Sequence, residues 1–138
     1  MSARAPSDRR VLLDTHTWLW WRSEPTELSK AAIRAIERAD VICLSSISIF
    51  ELSAKIAARR LTLDLPLDEW IHEATNSPGF RVLDVTSEIA QKAGLLGETW
   101  SHGDPCDRII VATAQVQRLP LATADQRIQQ SGLVLTIW

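Results

Sequence analysis

The sequence predicts an α/β protein whose central, mainly parallel sheet of about five strands carries helices on both faces. Short apolar runs alternate with helix-forming segments along the chain, and that alternation is typical of parallel sheets. The chain has 138 residues, of which 46% are hydrophobic, so it is long enough for one well-filled core. We expect a flexible N-terminus over residues 1–9 and a single domain over residues 10–138.

The strands are predicted from short apolar runs. Residues 10–14 form the first, which ends at Asp14 and has the composition of a buried strand. The second is predicted over residues 40–45 (DVICLS). The remaining three strands are predicted at residues 80–85, 119–123 and 133–137.

The intervening segments predict helices. Ser29 is a candidate N-cap for the second helix. Ser48 and Glu51 fit the S-x-x-E capping box at the start of the third, and Pro105 suits the first turn of the sixth. The predicted ranges, apart from the segment that follows Ser29, are residues 15–22, 48–60, 67–76, 86–96, 105–118 and 125–130.

Composition limits the compartment and the chemistry. The chain shows no signal-peptide core and no stretch that could span a membrane, so we expect a cytoplasmic protein. Cys43 and Cys106 are then expected to be free thiols, and neither belongs to a C-x-x-C zinc motif. The formal net charge of −2 does not suggest a nucleic-acid binder. Local cations suffice to hold a phosphodiester, however, so RNA or DNA is permitted.

Four acidic residues stand where strands give way to helices: Asp14, Glu51, Asp107 and Asp125. Ligands of parallel α/β sheets bind outside the carboxyl ends of the strands, and all four acids can converge there. Gathered carboxylates repel each other unless a cation such as Mg²⁺ or Mn²⁺ lies between them. Such an ion supports phosphodiester hydrolysis by an activated water. The alternative is that each acid caps a helix and opposes the helix dipole.

Further residues near these acids have two interpretations each. Lys55 and Arg59 share a helix face with Glu51 and could bind phosphates, or form ion pairs and a solvated helix end. Arg108 could contact substrate or lie on the surface. Trp100 could stack on a base or pack in the core.

Histidine and tryptophan positions add weaker signals. His16 and His102 lie two residues from an aspartate, and hydrogen bonding is a more common role there than metal ligation. The short helix with Trp18, Trp20 and Trp21 cannot turn all three inward. We expect at least one of them to contact a partner chain.

Four segments, in order, resemble the PIN-domain family and in particular its VapC-type toxin ribonucleases. They are residues 12–21 (LLDTHTWLWW), 45–55 (SSISIFELSAK), 102–114 (HGDPCDRIIVATA) and 121–125 (LATAD). The resemblance implies a three-layer α/β/α fold, Mg²⁺- or Mn²⁺-dependent endoribonuclease activity, a cognate VapB-like antitoxin and a homodimer.

The resemblance also implies roles for residues. Asp14, Glu51, Asp107 and Asp125 match the family's acids, and Thr123 matches a hydroxyl residue that supports them. The D-P-C-D sequence offers both Asp104 and Asp107 as the third acid. We favour Asp107, because it heads the matching helix, and assign Asp104 a supporting role.

Two other functions stay open. A phosphatase of the haloacid dehalogenase type would need a D-x-D motif, and this chain has His16 in place of the second acid. A catalytically inactive PIN-fold binding module would be expected to lack one or more of the four acids, and all four are present.

Overall fold

The computed structural model describes residues 9–101 and 104–138. Apart from Arg9, the predicted flexible N-terminus therefore lies outside the described residues, and so does His102. Within the described ranges, no helix has the length and apolar character that crossing a membrane requires.

Five strands in the described residues form one parallel sheet with the order β3-β2-β1-β4-β5. Central β1 pairs with β2 and β4, so that Leu12 lies between Cys43 and Leu121. The predicted parallel sheet of five strands is confirmed. The strands are β1 (Arg10–Leu13), β2 (Val41–Ser45), β3 (Phe80–Leu83), β4 (Leu121–Ala122) and β5 (Thr136–Ile137).

The last two strands are shorter than predicted. β4 begins after Pro120, whose ring nitrogen has no hydrogen to donate to a neighbouring strand. β5 begins after Leu135, whose side chain is 74% exposed. Apolar residues before both strands therefore belong to the connecting segments rather than to the sheet.

Seven α-helices in the described residues cover the sheet. Two of them begin where predicted caps stand: the Ser29 hydroxyl accepts a hydrogen bond from the Ala32 amide at 3.0 Å, and Pro105 occupies the first turn of the sixth helix. The helices are α1 (Thr15–Ser23), α2 (Lys30–Arg38), α3 (Ser46–Ala57), α4 (Leu67–Thr75), α5 (Ser87–Leu95), α6 (Pro105–Gln117) and α7 (Gln126–Ser131).

The predicted capping box of α3 is wrong. The helix begins two residues earlier than predicted, because the Ser45 hydroxyl accepts a hydrogen bond from the Ile47 amide at 3.1 Å. Ser48 is fully buried inside the helix, where its hydroxyl is bonded to that of Thr15. Glu51 consequently lies in the second turn of α3 rather than in its cap.

Alternate residues of the strands pack against opposite faces of the sheet, as the two-residue repeat of a strand requires. Leu13 and Leu44 join one core with α1 to α4. Leu12, Cys43 and Leu121 join the other with α5 to α7. The result is the three-layer α/β/α arrangement that the resemblance implies. Cys43 is buried and, like Cys106, has a free thiol, as predicted.

The three tryptophans of α1 all have aromatic neighbours within the chain. Trp18 is fully buried, meets Trp70 edge to face, and donates from Nε1 to the Ala74 carbonyl at 3.1 Å. The other two are half-buried: Trp20 lies 5.9 Å from Trp138 and Trp21 stacks on Phe80 at 6.1 Å. A contact between one of them and a partner chain stays a prediction.

The strand order places a ligand site between β1 and β4. From β1 the chain builds outward through β2 and β3, then crosses to the other side of β1 to form β4 and β5. The sheet therefore changes direction between β1 and β4, and parallel α/β sheets bind ligands at the carboxyl end of such a switch point. Asp14 directly follows β1, and Thr123 directly follows β4.

Candidate metal centre

A cleft of about 520 Å³ opens at this switch point and is lined by five carboxylates. Four of them are the predicted acids and the fifth is Asp104. The carboxylates are Asp14, Glu51, Asp104, Asp107 and Asp125; the other lining residues are Thr15, His16, Trp20, Lys55, Ala124 and Arg127.

Asp14 is the most deeply placed of the predicted acids. Its side chain accepts a hydrogen bond from the Thr17 amide at 2.8 Å and thereby caps α1. Burial raises the pKa of the Asp14 carboxyl above its ordinary value, and hydrogen bonds from Thr123 and Thr17 oppose that rise. These hydrogen bonds stabilise the buried Asp14 carboxylate, but they do not fully compensate for its lost hydration.

Glu51 reaches the cleft from α3 and is held by two neighbours. The Thr15 hydroxyl lies 2.6 Å from Glu51 Oε1 and 2.9 Å from the Ser48 hydroxyl. A hydroxyl has one hydrogen to give, and the carboxylate has none. Thr15 therefore donates to Glu51 and accepts from Ser48. Lys55, one helical turn on, lies 3.5 Å from Glu51 Oε2.

Asp107 lies in the first turn of α6, where its carboxyl faces other negative groups. Burial first, and then like charge, raises the pKa of Asp107 to about 7. The charges that act on it are those of Asp104, Asp125, Glu51 and Asp14. This raised pKa favours the protonated form of Asp107, and a cation in the cleft would compete with that proton.

Thr123 connects the two acids that flank the switch point. It is fully buried, it is hydrogen-bonded to the Asp14 side chain, and its hydroxyl accepts from the Asp125 amide at 3.0 Å. Asp125 in turn caps α7 by accepting from the Arg127 amide at 2.9 Å. The supporting role assigned to Thr123 stays a prediction.

The capping interpretation and the cleft interpretation hold together for three of the carboxylates. Asp14, Asp104 and Asp125 each accept a hydrogen bond from an amide of the helix that follows. Each of these acids caps the N-terminus of the helix that follows it, and the parallel sheet brings the three N-termini to one cleft. Capping therefore explains how these side chains are oriented without excluding a role in binding.

The donor set fits a hard divalent cation that keeps part of its water shell. Carboxylate oxygens are the ligands that Mg²⁺ and Mn²⁺ prefer. In residues 9–101 and 104–138, however, no three side chains from His, Cys, Asp and Glu stand so that they could hold a metal ion directly. Mg²⁺ typically takes only one or two protein carboxylates and several waters. The cleft suits that mode rather than a closed cage of four ligands.

The other candidate residues from the sequence lie in different parts of the structure. Lys55 and His16 line the cleft, and the His16 ring lies 5.7 Å from that of Trp20. Arg59 lines a separate apolar cavity beside α4. The remaining two, Arg108 and Trp100, do not line the cleft.

Arg108 turns away from the carboxylates toward the end of α5. A Cβ atom placed on Gly97 would stand 2.6 Å from Arg108 Nη1, so the guanidinium packs against that glycine. Trp100 lines a different cavity, which it shares with Arg127. Of the four predicted substrate-binding residues, the structure thus brings only Lys55 into the cleft.

Two cleft residues were missed from the sequence. Thr15 follows Asp14 directly, and a hydroxyl at the first position of a helix was a usable signal for a second hydrogen-bonding group. Arg127 follows Asp125 by two residues in the first turn of α7. Nothing in the sequence distinguishes it from a solvent-exposed arginine.

Comparison with known proteins gives consistent matches. The model of the family described as PIN domain matches residues 11–132. Ribonuclease VapC22 of Mycobacterium tuberculosis (strain ATCC 25618 / H37Rv) is 36% identical over 130 residues, which cover 93% of this chain and 98% of that protein.

Solved structures agree on the fold. VapBC2 from Rickettsia felis, bound to a DNA fragment from its promoter, superposes with a TM-score of 0.70 at 13% identity over 92% of this chain and 96% of that one. A toxin–antitoxin complex from Klebsiella pneumoniae gives a TM-score of 0.66 at 22% identity, covering 91% and 96% of the two chains.

Proposed function

This chain belongs to the PIN-domain family, and from that membership and its acidic cleft we propose that it is a metal-dependent endoribonuclease of the VapC type. It would hydrolyse RNA phosphodiester bonds as the toxin of a type II toxin–antitoxin pair. The observation that supports the proposal is the cleft at the switch point, which is lined by the four acids assigned from the resemblance and by Asp104. Mg²⁺ or Mn²⁺ is the proposed cofactor, and the cytoplasm is the proposed location.

The proposed ligands are Asp14, Glu51, Asp107 and Asp125, which would hold the ion directly or through water. A bound divalent cation supplies charge that stabilises the phosphorane-like transition state and lowers the pKa of water. In the reaction a water oxygen bonds to phosphorus and the water gives up a proton, while the P–O ester bond breaks and the leaving oxygen takes up a proton.

The chain's own residues orient the site. Thr15 holds the Glu51 carboxylate, and Thr123 holds Asp14 and the start of the helix that follows Asp125. Lys55 and Arg127 are the cationic side chains of the cleft lining and can meet the phosphate charge. Buried, prearranged donors of this kind spare the site reorganisation during the reaction.

A covalent mechanism has little support. Cys106 adjoins Asp107, but burial and the neighbouring carboxylates raise the pKa of its thiol to about 11. The thiolate is the reactive form of cysteine, so this thiol is inert near neutral pH. The aspartyl-nucleophile phosphatase has neither the D-x-D motif nor the family match, and it serves as the negative outcome of the test below.

Partners follow from the family and from its solved relatives. The solved relative from Klebsiella pneumoniae is a toxin–antitoxin complex, and the one from Rickettsia felis is VapBC2 bound to a DNA fragment from its promoter. We propose that this chain likewise binds a VapB-like antitoxin and forms a homodimer. Co-expression with a small DNA-binding protein encoded beside it should yield a stable complex in which RNA cleavage is suppressed.

Cleavage of structured RNA by the purified protein tests the activity. We expect cleavage with Mg²⁺ or Mn²⁺ and none with EDTA, and Asp14→Asn should lower the rate by about a hundredfold or more. Asp84→Asn is a matched control, because Asp84 is exposed and also follows a strand at this sheet edge but lies outside the cleft. Cleavage that survives EDTA, or release of phosphate from p-nitrophenyl phosphate with RNA intact, contradicts the proposal.

A further inference from the structure

A second cavity, of about 330 Å³, adjoins the acidic cleft and shares a residue with it. Arg127 lines both and therefore lies on the border between them. The second cavity, which we call the Trp100 cavity, is lined by Trp100, Ser101, Arg127, Gln130 and Ser131.

One face of α7 supplies most of the Trp100 cavity. Arg127, Gln130 and Ser131 are spaced by three and four residues, which places them on the same side of a helix. The opposite side is anchored: Ile128 is fully buried in the core, and Gln129 Nε2 donates to the Thr123 carbonyl at 2.9 Å. The lining face is therefore fixed relative to Thr123, and through it to the acids.

The two cavities differ in the charge of their lining residues. The acidic cleft has five carboxylates, and its Lys55 is already paired with Glu51. The Trp100 cavity has no Asp, Glu or Lys among its lining residues as the structure describes them, and combines a half-buried indole, a guanidinium and a carboxamide. An aromatic face beside a cation is the usual platform for an unpaired base and its phosphate.

On the premise of the proposed function, we propose that the Trp100 cavity binds the nucleotide next to the scissile phosphate of a single-stranded RNA segment. The base stacks on Trp100, and its edge meets the Gln130 carboxamide. One phosphate joins the nucleotide in the Trp100 cavity to the nucleotide in the acidic cleft, and Arg127 contacts that phosphate. Sequence preference near the cut would then arise outside the metal site, through Gln130.

Direct measurements of RNA binding separate the contribution of stacking on Trp100 from that of the phosphate contact with Arg127. A fluorescein-labelled single-stranded RNA is titrated in Mg²⁺ onto protein carrying Asp14→Asn, which stops cleavage, and anisotropy gives the Kd over a series of salt concentrations. Trp100→Ala should weaken binding about tenfold, and Trp100→Phe should restore most of it, because any aromatic face supports stacking.

The salt series identifies the phosphate contact. Each phosphate neutralised on a single strand contributes about −0.7 to the slope of log K against log salt. Arg127→Ala should therefore make the slope shallower by about 0.7, whereas Trp100→Ala should leave it unchanged. Arg34→Ala is the matched control, since Arg34 is exposed on α2 and lines neither cavity; both Kd and slope should stay as they were.

Kinetics without the Asp14 substitution adds a second readout. Trp100→Ala and Gln130→Ala should raise KM with kcat nearly unchanged, and Mn²⁺ affinity measured by calorimetry should equal that of the unsubstituted protein. A fall in kcat together with weaker Mn²⁺ binding would instead assign these residues to the metal centre and overturn the proposal.

The two proposals fail in different ways. If the unsubstituted protein cuts RNA while Trp100→Ala and Arg127→Ala behave like Arg34→Ala, the Trp100 cavity is not a substrate site and the activity stands. If the protein cuts no RNA, the binding titration still decides: unchanged Kd values for Trp100→Ala and Arg127→Ala overturn the inference. Loss of antitoxin binding with unchanged RNA affinity overturns it in favour of a protein-binding role.

Discussion

Helix α1 joins two regions with opposite environments: it starts at the acidic cleft, which we call the acidic end, and its Trp18 lies in the core, in a region we call the apolar end. At its start Asp14 and Thr15 enter a cleft where carboxylates repel each other, and the pKa of Asp107 rises to about 7 as a result of burial and that repulsion. One turn later Trp18 is fully buried against Trp70. Helix α1 thus joins a region that stabilises the fold to a cleft where like charges oppose it. Removing a repelling carboxylate from the acidic end and removing the buried indole from the apolar end should change stability in opposite directions.

The largest expected effect comes from the apolar end. Trp18→Ala removes a fully buried indole, its edge-to-face contact and its hydrogen bond to Ala74, and should lower the free energy of unfolding by about 3–5 kcal/mol. Urea unfolding followed by circular dichroism measures it. Trp18→Phe keeps a ring and should lose less. A loss below about 1 kcal/mol for the alanine variant would contradict the contrast between the two ends.

The acidic end should respond with the opposite sign. Asp107→Asn removes one of the repelling carboxyls and should raise the free energy of unfolding of the metal-free protein at pH 7 by on the order of 1 kcal/mol. That figure is discounted from the full pKa shift because water partly screens the side chain. RNA cleavage should be lost in the same variant. Destabilisation by Asp107→Asn in metal-free buffer would show that this carboxylate supports the fold.

The pH dependence of stability sharpens the same point. The pKa of Asp107 is about 7 in the folded protein against an ordinary value of 3.8. Between these values the folded state holds a proton that the unfolded state has released. Stability of the metal-free protein should therefore fall as pH rises from about 4 to about 7. Thermal melts at several pH values measure the slope, which Asp107→Asn should flatten and which saturating Mg²⁺ should also reduce.

A smaller effect is expected where a neutral group supports the acidic end. Thr15→Val keeps the shape but removes the hydrogen bond to Glu51 and leaves the buried Ser48 hydroxyl without that partner. The free energy of unfolding should fall by about 1 kcal/mol, and Mn²⁺ affinity measured by calorimetry should weaken. Thr15→Ser should restore both. Unchanged Mn²⁺ affinity in the valine variant would separate Thr15 from the metal centre.

The smallest effect belongs to the ion pair at the cleft margin. Lys55 and Glu51 are four residues apart on α3 and partly exposed, and such pairs contribute about 0.3–0.5 kcal/mol. Lys55→Met should lower stability by no more than that in urea unfolding at low salt, and by less at high salt. A larger, salt-insensitive loss would mean that Lys55 offsets several carboxylates rather than one.

Much of the fold followed from local patterns in the sequence. Alternation of apolar runs with helical segments is set by the chain itself, and caps such as Ser29 act within one turn, so both could be predicted. Acids that follow strands converge because the sheet is parallel, and Asp14 and Asp125 accordingly line one cleft.

What could not be predicted depends on tertiary contacts. Ser48 looked like a cap, but its hydroxyl is engaged by Thr15 from another helix, and α3 begins at Ser46 instead. Arg108 is next to Asp107 in sequence, yet its guanidinium packs against Gly97 and does not line the cleft. Neighbouring positions on a helix point in different directions, and only the packed structure decides which of them face the cleft.

The parallel pairing of β1 with β4 also has a consequence for biosynthesis. Leu12 pairs with Leu121, and the acidic cleft needs Asp125 beside Asp14. A nascent chain still attached to the ribosome with residue 125 inside the exit tunnel has β1, β2 and β3 but no closed site. The proposed nuclease would thus be inert as long as residue 125 stays in the tunnel, and would become active only after the segment beyond β4 has emerged and docked.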